Sequence, residues 1–109
     1  MIESRREIRK EYNDLPNWLR FVHVVYNEKK YKGKIKDASQ HGLGIVTSEV
    51  DLNSLEPKMI IGINIYLKNI QLEGEVRYKA IKQGMINIGI KLLETPGLTA
   101  YKDMVKPIF

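Results

Sequence analysis

Two short stretches of this 109-residue chain bring together residue types suited to holding an anion and a base. The first is Arg5-Arg6-Glu7-Ile8-Arg9, with Arg5 and Arg9 four apart. The second is Asp37-Ala38-Ser39-Gln40-His41-Gly42, which begins 28 residues after Arg9. Arginine's planar fork pairs bidentately with phosphate, reaches the O6 and N7 acceptors of guanine, and stacks on a purine face. An ionised Asp37 is a pure acceptor and suits a partner that presents N–H donors. Ser39 can donate or accept, and Gly42 permits either a positive φ or a close backbone approach. Arg6 and Lys10 are also four apart, but lysine lacks the fork, so Arg5 and Arg9 form the better pair and Arg6 adds a contact. Taken alone, Asp37-x-Ser39 also reads as an Asx or Ser turn between two strands.

Other chemistry is poorly served. Asp37, Ser39 and His41 are the residue types of a hydrolytic triad, yet they lie within five residues on one turn, whereas a triad is a hydrogen-bonded line usually assembled from separate elements. The reading is therefore not an enzyme. His23 has no second His, Cys or paired carboxylate at metal-ligand spacing and reads as a half-buried strand residue. With no cysteine there is neither a disulfide framework nor a thiolate site. Tyr12 and Trp18 flank the basic segment and could stack on a base, although Trp18 also suits packing where the first strand begins.

The elements that must position these residues are strands. Phe21 to Tyr26 is β-branched and aromatic, Asn27-Glu28-Lys29 reads as a turn, and Lys30 to Lys36 resumes as a strand. In it Lys30, Lys32, Lys34 and Lys36 share one face, as a solvated or edge-guarding row or as a lure for an anion, opposite Tyr31, Gly33 and Ile35. Gly42 to Ser48, Ile61 to Leu67, Ile70 to Lys79 and Ile86 to Leu92 continue the alternation, with turns at Lys68-Asn69 and Gln83-Gly84. Leu98, Tyr101, Met104 and Val105 have helical spacing, with Thr95 or Thr99 as cap and Pro107 as stop. The expected fold is all-β with a short C-terminal helix: a six-stranded antiparallel β-barrel, which leaves no open sheet edge. Residues 1–17 read as a flexible basic segment without core, and residues 18–109 as the barrel and helix.

The pattern Arg-x-x-x-Arg, then strands, then Asp-x-Ser-x-x-Gly resembles the PilZ family, whose members bind the bacterial second messenger cyclic di-GMP. Arg5, Arg9, Asp37, Ser39 and Gly42 fill its five positions, and the likeness continues through Leu43-Gly44-Ile45 and Glu73-Gly74-Glu75-Val76-Arg77. Leu43 stands where many members have a second glycine. The resemblance implies a PilZ-like split barrel and a receptor that binds cyclic di-GMP through Arg5, Arg6, Arg9, Asp37, Ser39 and Gly42, with no metal or other cofactor. It also implies relay of the signal to an effector protein. Two alternatives accompany it. One is a ligand-free PilZ-fold interaction module, although such members typically lack the arginines. The other is a small basic barrel stacking single-stranded nucleic acid on Tyr26, Tyr31, Tyr66 and Tyr78, which the modest charge and scattered tyrosines disfavour.

The charge supports an anionic partner without choosing one: 18 Lys and Arg against 13 Asp and Glu give +5. No apolar run approaches the ~20 residues of a membrane span, and no apolar signal region opens the sequence, so the expected location is the cytoplasm.

Overall fold

The computed structural model describes residues 7–109. In chain order the elements are β1 (Lys10–Glu11), β2 (Phe21–Tyr26), β3 (Lys29–Ala38), β4 (Gly42–Thr47), β5 (Ile60–Ile65), β6 (Ile70–Lys82), β7 (Met85–Leu92) and α1 (Pro96–Val105), with short 3-10 turns between several of them. β2 pairs with β3 and β5, β6 with β5 and β7, and β4 with β7 and β3, all antiparallel. The β3–β4 pairing closes the ring, so β2 to β7 form the expected six-stranded barrel. β1 is an added two-residue strand on β3, with Lys10 opposite Ala38 and Glu11 opposite Asp37.

The period-two alternation does what it promises. Val22, Val24, Ile35, Ile45, Ile63, Leu72, Val76 and Ile88 point inward and are buried in one core. Removing each such side chain from water contributes about 1.5–3 kcal/mol, opposing the entropy of ordering the chain. The tight turns take left-handed backbone where the sequence marks them, at Asn27-Glu28, Asn69 and Gln83-Gly84. α1 starts where Thr95 accepts the Leu98 N–H at 3.2 Å, with Pro96 in its first turn. It buries Leu98, Tyr101 and Val105.

One expectation is corrected. Residues 1–17 were to carry no core, yet Leu15 is buried and belongs to the core cluster. The Arg20 guanidinium secures that stretch by donating from Nε to the Tyr12 and Leu15 carbonyls, each at 3.1 Å. No apolar period announces Leu15, because a single anchor in an irregular segment has none. His23 is half-buried on β2, as expected, and stacks on Tyr66 with ring centroids 4.5 Å apart.

Candidate functional site

Two β-bulges create the site. Along β3, strict alternation would turn Asp37 inward after Ile35. Instead Ile35 pairs with Ile45 and Asp37 with Gly44, so Lys36 is an extra residue. A bulge leaves two residues of one strand facing one of its partner and re-aims the side chain that follows. Lys36 and Asp37 accordingly both face out, and Ala38 returns to the core. β6 repeats the device: Val76 pairs with Ile90 and Tyr78 with Gly89, leaving Arg77 as the extra residue. Arg77 and Tyr78 are both exposed.

The registers then line up four residues across four strands: Asp37 beside Gly44, Gly44 beside Gly89, and Gly89 beside Tyr78. The two glycines form a floor that their neighbours need empty. A Cβ on Gly44 would sit 2.6 Å from Asp37 Oδ1, and one on Gly89 would fall within the Tyr78 ring. The result is an outward groove of about 310 Å³ lined by Arg9, Asp37, Arg77, Tyr78 and Gly89, among others.

Arg9 reaches this groove from the N-terminal segment, held there by the β1 pairing. Its Nη2 donates to Asp37 Oδ1 at 2.6 Å in an ion pair, and its Nη1 donates to Ser39 Oγ at 3.3 Å. The structure thus gathers Arg9, Asp37 and Ser39 as the sequence suggests. Gly42 joins them by close approach and not by a positive φ: a Cβ there would lie 3.2 Å from both Arg9 Nη1 and the Ile90 carbonyl. Arg5 and Arg6 lie outside the described residues.

Ser39 is fully buried beneath this cluster. Its N–H donates to the Gly42 carbonyl at 2.9 Å, and its carbonyl accepts the Tyr101 hydroxyl of α1 at 2.7 Å. Its own hydroxyl donates to Glu7 Oε1 at 2.7 Å. Glu7 also accepts the His41 backbone N–H at 3.3 Å and pairs with His41 Nδ1. Burial alone would raise the Glu7 carboxyl, but the bonds from Ser39 and His41 and the nearby His41 charge outweigh it and hold Glu7 below the ordinary glutamate range. Burial pushes the Tyr101 hydroxyl far above the usual tyrosine range, with the Arg9 charge opposing and the Glu7 charge adding.

This geometry is not that of a triad, since the Ser39 hydroxyl donates to a carboxylate and not to histidine. No group of three His, Cys, Asp or Glu able to hold a metal occurs among the described residues. The tyrosines of the nucleic-acid reading do not share a platform. Tyr26 and Tyr31 line a separate hollow, Tyr66 covers His23, and Tyr78 lies over Gly89. Two larger hollows, of about 570 and 810 Å³, lie away from the motif, and neither is lined by an arginine. No helix among the described residues is long and apolar enough to cross a membrane.

A closed barrel with an arginine-bearing N-terminal segment folded onto an outward groove defines a family. The PilZ domain matches residues 3–104, and this chain belongs to the PilZ family. Among curated protein sequences none matches. Solved structures agree on the fold. MrkH of K. pneumonia, in complex with c-di-GMP, superposes with a TM-score of 0.70 at 15% identity, over 98% of this chain and 52% of that one. The Bacillus subtilis inhibitor of motility MotI/DgrA gives 0.68 at 16%, over 97% and 51%. The PilZ domain of Escherichia coli YcgR with c-di-GMP gives 0.63 at 15%, over 98% and 90%. This chain thus spans about half the length of the first two proteins and most of the isolated YcgR domain.

Sequence reasoning passes over Glu7, Arg77, Gly44 and Gly89 as candidates, and offers Tyr78 only for stacking nucleic acid. Glu73 to Arg77 carries part of the family likeness, but nothing in a period of two marks a bulge after Val76.

Proposed function

We propose that this chain is a non-enzymatic receptor for cyclic di-GMP that passes its ligand state to a partner protein. The observation that carries the reading is the convergence of Arg9, 28 residues upstream, on Asp37 and Ser39 beside a glycine-floored groove. Family membership supports the same ligand, as do the c-di-GMP complexes of the similar MrkH and YcgR structures.

Arg9 spends the free state on Asp37, so binding is an exchange. The guanidinium turns to a phosphate or guanine, and Asp37 is released to accept from a guanine N1–H and amine. Tyr78 offers a ring face and Arg77 a further cation at the other wall. Arg5 and Arg6 would add contacts from the same segment. The Ser39 hydroxyl and His41 N–H, now held by Glu7, are donors that a phosphate can take over.

Calorimetric titration with cyclic di-GMP, with GTP and cyclic di-AMP as controls, tests this directly. Saturable binding of cyclic di-GMP ahead of both controls is expected. No heat and no competition would overturn the reading in favour of a ligand-free interaction module.

A further inference from the structure

β3 exposes Lys30, Lys32, Lys34 and Lys36 along one outward line, with Gly33 and Ile35 turned into the core between them. On an edge strand such a row would repel other chains. β4 accompanies β3 only from Lys34 onward, so edge-guarding can account for Lys30 and Lys32 but not for Lys34, which has a strand partner on both sides, or for Lys36 in the bulge. Like charges in proximity on a sheet cost stability. The ion pairs among the described residues are Arg9–Asp37 and Glu7–His41, and no lysine of the row takes part in them.

The row also runs into the ligand groove. Lys36 is the bulge residue that turns Asp37 outward. Lys34 Nζ stands 4.3 Å from the Tyr12 ring centroid, the Arg20 guanidinium lies 5.0 Å from it, and Phe21 packs edge-on at 6.0 Å. Tyr12 follows β1 directly, three residues after Arg9. A shift of the segment as Arg9 exchanges Asp37 for a ligand therefore moves Tyr12 against Lys34.

We propose that this lysine line is the docking surface for an acidic, extended segment of a partner protein. Alternate residues of a strand repeat every ~6.8 Å, and an extended peptide with carboxylates at every second residue repeats at the same distance, so charges meet in register. Single-stranded nucleic acid fits less well because the aromatic faces beside the row are taken. Arg20 and Lys34 lie over Tyr12, and His23 and Tyr66 stack on each other. The proposal rests on the cyclic di-GMP reading only for its coupling to the groove.

The test uses the whole chain and a fluorescent peptide of alternating glutamate and serine, titrated with and without saturating cyclic di-GMP. A thymidine oligonucleotide and phosphatidylserine vesicles are parallel probes. Lys30→Gln/Lys32→Gln/Lys34→Gln is compared with Lys58→Gln/Lys82→Gln/Lys106→Gln, an equal charge change at exposed sites elsewhere. The row variant should weaken the peptide by about tenfold and the matched variant by no more than about twofold. Both should keep the parent's circular dichroism. Equal losses in the two variants overturn the proposal. So does tighter, row-dependent binding of the oligonucleotide or the vesicles. If the parent fails to bind cyclic di-GMP, the receptor reading falls, while the peptide comparison still decides whether the row docks an acidic segment.

Discussion

Glu7 and Arg9 sit two residues apart on one segment and pull in opposite directions. Glu7 holds the Ser39 hydroxyl and the His41 N–H, the donors an incoming phosphate would use, whereas Arg9 supplies attraction. Arg9→Ala removes charge-assisted contacts of about 1.5–3 kcal/mol each, so cyclic di-GMP should bind at least roughly tenfold more weakly. Glu7→Ala frees both donors and removes a like charge, and affinity should rise by roughly fivefold. Calorimetry on the two variants reads the sign. A fall in both would make Glu7 a support of the site and not a competitor for it. Asp37→Ala should reduce affinity for cyclic di-GMP more than for cyclic di-AMP, because the carboxylate suits the guanine edge. Equal losses in paired titrations would reduce Asp37 to a turn former.

The strands were legible and the bulges were not. Alternation from Phe21 to Leu92 marks which residues face the core, and Gln83-Gly84 marks a hairpin, because burial on one face and backbone at a turn each select residue types locally. Lys36 and Arg77 leave no such trace. A bulge depends on where the partner strand sits, so Asp37 reads as inward by period and faces outward in the barrel. The motif spacing identified Asp37 without explaining how it reaches the surface. α1 shows a similar limit. Helical spacing predicts Tyr101 as a packing residue, and only the fold reveals its hydroxyl on the Ser39 carbonyl. Tyr101→Phe leaves that buried carbonyl without its donor and should cost about 1–3 kcal/mol, visible as a lower thermal midpoint with the barrel's circular dichroism retained. The pH dependence follows from the same burial. Tyr101 ionises higher when folded than the ~10 of an unfolded tyrosine. Its contribution is therefore complete below ~pH 10 and is lost as pH rises toward the folded value. Denaturant titrations between neutral and strongly alkaline pH should show the parent losing this increment and the Phe variant lacking it.

Across the molecule, the N-terminal segment is fastened at two very different strengths. Leu15 is locked in the core, while Lys10 and Glu11 are held by a two-residue pairing with β3. A dianion bound by Arg9 would tighten the weaker end, and hydrogen exchange at residues 7–12 should slow when cyclic di-GMP is added. Ordering costs free energy, so affinity should fall short of the contacts' sum. Unchanged exchange at proven saturation would leave relay to side chains alone. The bond between Tyr101 and Ser39 also has a consequence for how the barrel is made. A ribosome delivers the motif loop 62 residues before the tyrosine that satisfies it, and β4, already beside β3, gains its second neighbour only with β7, with Gly42 opposite Lys91. Every strand before β7 can be in place while the barrel is still open and the Ser39 carbonyl unpaired. The nascent chain therefore displays Arg9 and Asp37 early, but the groove is walled on all sides only after β7 has paired and the Ser39 carbonyl is satisfied only after Tyr101 has followed.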